Sequence, residues 1–476
     1  MATLPPDVFF RSISELGAGL RSKEYSCLDL TRAFCDRLER FGPRYNALAL
    51  LLREQAIRQA KDVDDELKRG RFRGPLQGIP YGVKDLLAVK GQPTTWGAKP
   101  FAGQVFDEDA KVVEKLNKAG AILVGKLAMV ELAGGGGYRS ASASLTGPGL
   151  NPWDRTRWSG GSSSGSATAS AAGLVAFAVG SETSGSILTP SAFCGVTGLR
   201  PTYGLVSRRG AMALSWTLDK LGPICRSVED CALVLHEISG ADIEDPGSAG
   251  KSYTYAPQFA RKPSEFTVGY APVDFDAWTD PEARAPLQAA LTAFKGLGAK
   301  MKEVELPDFP YGAITEMIVA AEGGSIFEDV IRDGRVDQLA DRHQAAGLKA
   351  ALDVPAVEYL RAMRVRSLVQ GAIRELFLNV DVLLAPARLG VAPKVTEQLD
   401  AGSSVPRPAS RGMSGIIPAG NLAGLPALSL PCGFAGNLPV GISLVGRPFY
   451  ENQIVTLGRA FQSQTDWHKR RPPVEG

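Results

Sequence analysis

Short apolar runs alternate along this chain with amphipathic stretches of helical period, and that alternation predicts an α/β protein. Leu30, Phe34, Leu38 and Phe41 recur at helical spacing; Ser26 with Asp29 forms a capping-box-like start, and Gly42-Pro43 ends the helix. A short strand is predicted over 47–52, a charged helix over 54–69 and a basic turn over 70–78. Residues 109–119 read as an amphipathic helix closed by Gly120, and 121–124 as a buried strand. The stretch 160–198 is organised differently. Two Gly/Ser turns, 160–165 and 180–186, are joined by a small-residue helix over 166–173 and an apolar strand over 174–179. A linker would not carry an apolar strand through its middle, and one helix plus one strand can bring two serine-bearing turns face to face. Residues 241–265 are polar and rich in Gly and Pro, as a surface excursion would be. A strand over 267–270, a helix over 281–297 and several helical patterns between about 310 and 378 follow, before apolar runs at 381–385, 421–431 and 438–446.

Composition narrows the class. The chain has 476 residues, 44% hydrophobic and 22% charged, as a soluble protein with a sizeable core would have. A net charge of +3 is too small for this length to suggest a nucleic-acid surface. No apolar run reaches the roughly 18 residues of a membrane span. The start, MATLPPDVFFRSIS, lacks the basic and apolar regions of a secretion signal. Six cysteines (27, 35, 194, 225, 231 and 432) form no CxxC pair, so free thiols in a reducing cytoplasm are expected. Three scattered histidines and no cysteine pairs argue against a zinc hydrolase, and no metal or cofactor is expected. The glycines of 160–166 lack a following Gly-Lys-Ser/Thr, which removes a phosphate-loop reading.

Three segments carry candidate chemistry: Gly78-Ile79-Pro80-Tyr81-Gly82-Val83-Lys84-Asp85, Gly160-Gly161-Ser162-Ser163-Ser164-Gly165, and Glu182-Thr183-Ser184-Gly185-Ser186-Ile187. Together they closely resemble the signature of the amidase signature family, serine hydrolases with a Ser–Ser–Lys triad. Further family-like segments follow at Val89-Lys90-Gly91, Thr94-Thr95, Gly198-Leu199-Arg200-Pro201-Thr202, Leu221-Gly222-Pro223 and 421–446, so the resemblance spans roughly residues 25 to 465. It implies a large mixed central β-sheet with helices on both faces. In such a protein Ser186 is the nucleophile, Ser162, 24 residues earlier, the bridging serine on a cis peptide, and Lys84 the base. It further implies an oxyanion hole from the backbone amides of Thr183, Ser184, Gly185 and Ser186. The expected organisation is one domain over 1–476: an N-terminal helical part (1–70), the signature core (71–235), a variable helical cap (about 240–380) and a return to the core (381–470).

Lys84 must be neutral to act as a base, and a free lysine near pKa ~10.4 is neutral in only about one part in a thousand at pH 7.4. Burial away from carboxylates lowers that pKa, and in an extended segment Asp85 points to the opposite face from Lys84. Ser181, Ser184 and Ser191 are read as turn or packing serines, Ser163 as a support for Ser162, and Lys126 and Glu131 as helix-surface residues. The glycine run 134–137 is expected to be a loop near the site, giving Gly136 and Tyr138 as substrate-binding candidates. Three positions depart from the family pattern. Glu182 replaces aspartate and Ser184 glycine, both expected to shift the oxyanion turn slightly. Leu188 replaces the arginine common in members acting on carboxylate-bearing substrates, which makes it a third substrate-binding candidate and points to a neutral, apolar or aryl amide, anilide, ester or carbamate. The expected partners are a small molecule and water, without nucleic acid or membrane; a homodimer is possible. One alternative is an α/β-hydrolase-like esterase in which Gly161-Ser162-Ser163-Ser164-Gly165 is a nucleophile elbow and Ser163 the nucleophile. That reading needs one of His236, His343 and His468, and His236 is expected in a helix core. Another is an amidotransferase subunit that passes ammonia to a partner's substrate; an inactive binding protein on the same scaffold is argued against by the complete Ser–Ser–Lys set.

Overall fold

Strands β1 (Leu48–Leu51), β2 (Pro80–Lys84), β3 (Ile122–Leu127), β4 (Phe177–Glu182), β5 (Thr197–Arg200), β6 (Lys220–Cys225), β7 (Thr267–Tyr270), β8 (Lys300–Glu303), β9 (Val382–Pro386), β10 (Ala427–Ala435) and β11 (Leu438–Gly446) build one mixed sheet. Its order is β1-β3-β2-β4-β6-β5-β10-β11-β9-β7-β8. The computed structural model describes residues 4–399 and 412–474. Strand β2 runs parallel to β3 and β4, and β4 pairs antiparallel with β6. Alternation along β9 shows that helices cover both faces. Val382 and Leu384 join one apolar cluster with Phe34 and Val234, while Leu383 and Ala385 join another with Ile314 and Val369.

The helix Cys27–Phe41 follows the expected spacing, with Leu30, Phe34, Leu38 and Phe41 buried and the Ser26 side chain accepting from the Asp29 amide. The helix Ile13–Ser22 ahead of it belongs to the expected N-terminal helical part, and Ser12 and Glu15 form a full capping box at its start. Residues 241–265 form an irregular excursion with two short 3-10 turns. The region after it supplies β7 and β8 as well as the helices Tyr311–Ile326, Arg342–Ala351 and Ala356–Leu376. All six cysteines are buried free thiols.

Several expectations need correction. Strand β4 starts three residues later than the apolar run suggested and takes in Gly180, Ser181 and Glu182, expected as a turn. These residues pair with Gly222, Leu221 and Lys220 of β6, and their polar side chains find buried partners. Lys126 is a fully buried residue of β3, not a helix-surface residue. Glu131 is also buried, its carboxylate accepting from the Ala340 amide at 2.9 Å. His236 lies on the exposed side of its helix, its Nδ1 3.2 Å from the Tyr253 carbonyl oxygen.

Candidate active site

Lys84 ends β2 with its side chain fully buried. Its Nζ donates to Ser162 Oγ at 2.6 Å and to Ser181 Oγ at 2.9 Å. Burial pulls the lysine pKa down to about 7; Asp219 and Glu182 work weakly against that shift. Asp85 turns to the other face, as alternation predicts, and pairs with Lys126 Nζ at 2.9 Å. Lys84 is thus held by hydroxyls.

The helix Ser164–Ala171, sequence SGSATASA, is buried along its whole length, so its small side chains let it press against the strands. It starts directly after the Gly161–Ser162 cis peptide bond. The Ser162 carbonyl accepts from the Val130 amide at 3.1 Å, and the Ser163 amide donates to the Ser186 carbonyl at 3.3 Å. Ser163 Oγ donates to the Ser181 carbonyl at 3.1 Å and accepts from the Ser181 amide at 3.3 Å. Ser163 therefore ties the two serine turns together, and its hydroxyl is fully buried and committed. That geometry removes the elbow reading.

Glu182 anchors the second turn. One oxygen accepts from the Ile187 and Leu188 amides at 2.9 and 3.0 Å. The other accepts from Arg200 Nη1 at 2.8 Å and Asn421 Nδ2 at 2.9 Å. Burial pushes this carboxyl up, but Arg200, Lys220 and the hydrogen bonds outweigh it and hold the pKa at about 2. Thr183 Oγ1 donates to the buried Asp219 at 2.6 Å. Gly185 takes φ +87°, a left-handed conformation that favours glycine. Ser184, where the family has glycine, does not take a positive φ and is exposed, so the serine fits without backbone strain.

Gly161, Thr183, Ser184 and Ser186 line a cavity of about 310 Å³, together with Tyr138, Trp158, Leu214, Val319 and Arg388. A second cavity of about 230 Å³ shares Thr183 and Leu214 with it and is also lined by Ser181 and Asp219. The three substrate-binding candidates fare differently. Tyr138 lines the main cavity. Gly136 is a packing residue: a Cβ there would lie 2.4 Å from the Gln344 carbonyl oxygen, on the helix Arg342–Ala351. Leu188 is 1% exposed and packs in the apolar cluster with Leu218, Ile318 and Ile416. It does not line the cavity. Three residues were missed. Ser181, set aside as a packing serine, reaches Lys84. Asp219 accepts from Thr183 in the second Gly/Ser turn, and nothing local in the sequence marks it. Arg388 enters the cavity from the loop after β9.

A large mixed sheet that gathers two glycine–serine turns and a buried lysine beside a cavity defines the class: an α/β enzyme of the amidase signature type. The chain belongs to the Amidase family, whose profile matches residues 29–455. It is 36% identical to a glutamyl-tRNA(Gln) amidotransferase subunit from Carboxydothermus hydrogenoformans, over 98% of this chain and 100% of that one. Among solved structures it resembles one described as an unexpected vestigial protein complex that reveals the evolutionary origins of an s-triazine catabolic enzyme. The two share 31% identity at a TM-score of 0.86, covering 95% of this chain and 98% of the other. It also resembles the native peptide amidase of Stenotrophomonas maltophilia, with 30% identity, a TM-score of 0.81 and coverage of 97% and 98%. Members of this family act on carbon–nitrogen bonds as hydrolases or amidotransferases. Among the described residues no helix is long and apolar enough to cross a membrane.

Proposed function

We propose that this chain hydrolyses an amide-type carbon–nitrogen bond in a small molecule through an acyl-enzyme on Ser186. Ser162 takes the Ser186 proton as Oγ attacks the carbonyl carbon and passes a proton to Lys84. The carbon–nitrogen bond breaks, and the amine leaves with a proton returned through Ser162. Water then attacks the ester, releasing the acid and restoring the hydroxyl. The amides of Thr183, Ser184, Gly185 and Ser186 face the developing oxyanion. The observation that carries this reading is the buried Lys84, held at a pKa of about 7 and 2.6 Å from Ser162 Oγ. An amine poised near neutrality is what a general base needs. The apolar walls of the cavity, Trp158, Leu214 and Val319, support an amide, anilide or carbamate with an apolar or aryl body. Leu188 packs in the core, so its identity says nothing about substrate charge.

A second reading, an amidotransferase subunit that works with partner chains, is favoured by the likeness to a glutamyl-tRNA(Gln) amidotransferase component. The two separate on the purified chain alone. A hydrolase turns over a chromogenic anilide without a partner; an amidotransferase component releases ammonia from glutamine only, or is idle. The mechanism is tested by fluorophosphonate labelling with peptide mass spectrometry. The expected result is a label on Ser186 that slows greatly in Lys84→Ala. A label on Ser163, indifferent to Lys84, would overturn the mechanism.

A further inference from the structure

Asp219 stands just before β6, whose first residue, Lys220, pairs with Glu182 of β4. The antiparallel register carried one step further sets Asp219 against Thr183, the first residue beyond β4, and both are buried. One carboxylate oxygen accepts from Thr183 Oγ1 at 2.6 Å. The other accepts from the Leu214 and Ser215 amides at 2.8 and 2.9 Å. A single carboxylate thus joins two walls of the site: Thr183 and Leu214 line both the cavity of Ser186 and its neighbour. The 214–217 segment is anchored on its other side as well. The Ser215 and Thr217 hydroxyls both donate to the buried Glu322 carboxylate, on the helix Tyr311–Ile326. At the far end of the serine turn Glu182 gathers the Ile187 and Leu188 amides, and Asp219 is its counterpart at the start.

We infer that Asp219 is a positioning residue for the reaction. Through the Thr183 hydroxyl it aims the Thr183 amide at the oxyanion, and through the Leu214 and Ser215 amides it keeps the adjoining cavity wall in step with that turn. This rests on the reading of Ser186 as nucleophile. An oxyanion donor is effective only within about 2.7–3.1 Å of the developing charge, so a small rotation of the peptide between Glu182 and Thr183 forfeits it. A hydrogen bond to a carboxylate is stronger than one between neutral groups, which suits a side chain that must fix a main-chain direction. The carboxylate oxygens are taken up by Thr183, Leu214 and Ser215, so Asp219 acts through them. Its charge is felt more widely. It raises the pKa of Lys84, as Glu182 does, and it works the same way on Lys220 and Arg208.

Fluorophosphonate labelling of Ser186 tests this without a known substrate, since the phosphonyl oxygen takes the place of the oxyanion. The second-order labelling rate is measured against pH, and peptide mass spectrometry locates the label. Thr183→Val keeps the shape and the amide but removes the hydroxyl, and the plateau rate should fall about tenfold or more. Thr183→Ser, which keeps the hydroxyl, should recover most of that loss. Asp219→Asn should fall by a similar factor, and the double variant Asp219→Asn/Thr183→Val little further, because both changes break the same link. The midpoint of the pH profile should stay in place in Thr183→Val, which assigns its loss to the oxyanion side rather than to Lys84. In Asp219→Asn it should move down, because a carboxylate that favours the charged lysine is gone. A Thr183→Val rate within about threefold of wild type, a Thr183→Ser rate no better than that of Thr183→Val, or losses that multiply in the double variant overturns the inference. Should Asp219→Asn not fold, the two Thr183 variants decide by the same criteria. A wild-type label on another serine, or none, brings down the nucleophile reading and this inference with it, whereas a Ser186 label indifferent to Thr183→Val brings down this inference alone.

Discussion

Lys84 on β2 and Lys126 on β3 stand one residue out of step across a parallel strand pair, and both side chains are fully buried. Lys126 lies opposite Val83, so the two ammonium groups point to opposite faces of the sheet. Burial lowers the pKa of each. At Lys126 the Asp85 carboxylate, 2.9 Å away, opposes that shift, and the Pro93 carbonyl accepts from the same nitrogen at 2.8 Å. At Lys84 the immediate partners are two hydroxyls, and the opposing carboxylates, Asp219 and Glu182, are spent on other donors. Lys126 belongs to a structural ion pair, and Lys84 is, in the mechanism proposed above, the base. What separates them is the partner, since burial is common to both.

Substituting the two lysines breaks the comparison most sharply. Lys84→Met should lower the rate of anilide hydrolysis or Ser186 labelling by about a thousandfold or more, since both the base and the proton path are lost. A Lys84→Met protein that keeps a tenth of wild-type activity would end the base assignment. Stability should move the other way. Lys126→Met leaves Asp85 buried without its cation, which costs about 3–5 kcal/mol in a denaturant melt. Lys84→Met removes a buried amine that has no ion-pair partner and leaves no carboxylate stranded, so it should not destabilise the fold at pH 7 as Lys126→Met does. Equal loss of stability in both variants would mean that the two environments are not different after all.

The pH profile sharpens the same point. In the proposed mechanism Lys84 acts when neutral, so kcat/KM should rise about tenfold per unit below pH 7 and level off above it. The folded pKa, about 7, lies below the ordinary 10.5. Between those values the unfolded chain binds a proton that the folded chain does not. Stability attributable to this group therefore rises with pH across that window and is lowest below pH 7. The rise should be absent from Lys84→Met, as unfolding of the two proteins across pH 6–10 would reveal. A profile with its limb near pH 10 would place Lys84 in a solvated site.

Much of this pair was legible in the sequence, for local reasons. Ser162 and Ser186 sit in Gly/Ser turns and Lys84 at the end of a short apolar strand, local segments whose resemblance to the amidase signature singled the three out, and strand alternation alone put Asp85 on the far face. What joins distant segments was not legible. Asp85 meets Lys126 because β2 and β3 happen to be neighbours, and nothing near residue 126 says so. Leu188 is two residues from Ser186, yet the face of a seven-residue helix that it occupies is decided by the apolar cluster around Ile318 and Ile416. Arg388 comes to the cavity from some 200 residues downstream of Ser186, through the return of β9 to the sheet. The strand β4 was read three residues too early because Ser181 and Glu182 look like turn residues until their buried partners are known.

The finest distinction between the two lysines lies in orientation. A neutral amine has two N–H donors and one lone pair, and as a base Lys84 must aim the lone pair at the Ser162 proton. Ser181 Oγ, 2.9 Å away, can accept one of the N–H groups and so fixes the rotation about the last carbon–nitrogen bond. Ser181→Ala removes that acceptor without touching Ser162 or Ser186. The loss is one hydrogen bond, about 0.5–1.5 kcal/mol, so activity should fall roughly two- to twelvefold. The midpoint of the pH profile should move down, because the hydroxyl also stabilises the charged ammonium that it faces. A Ser181→Ala protein with a midpoint moved up, or with activity lost more than a hundredfold, would mean that Ser181 carries the proton itself. Lys84 would then serve two serines rather than one.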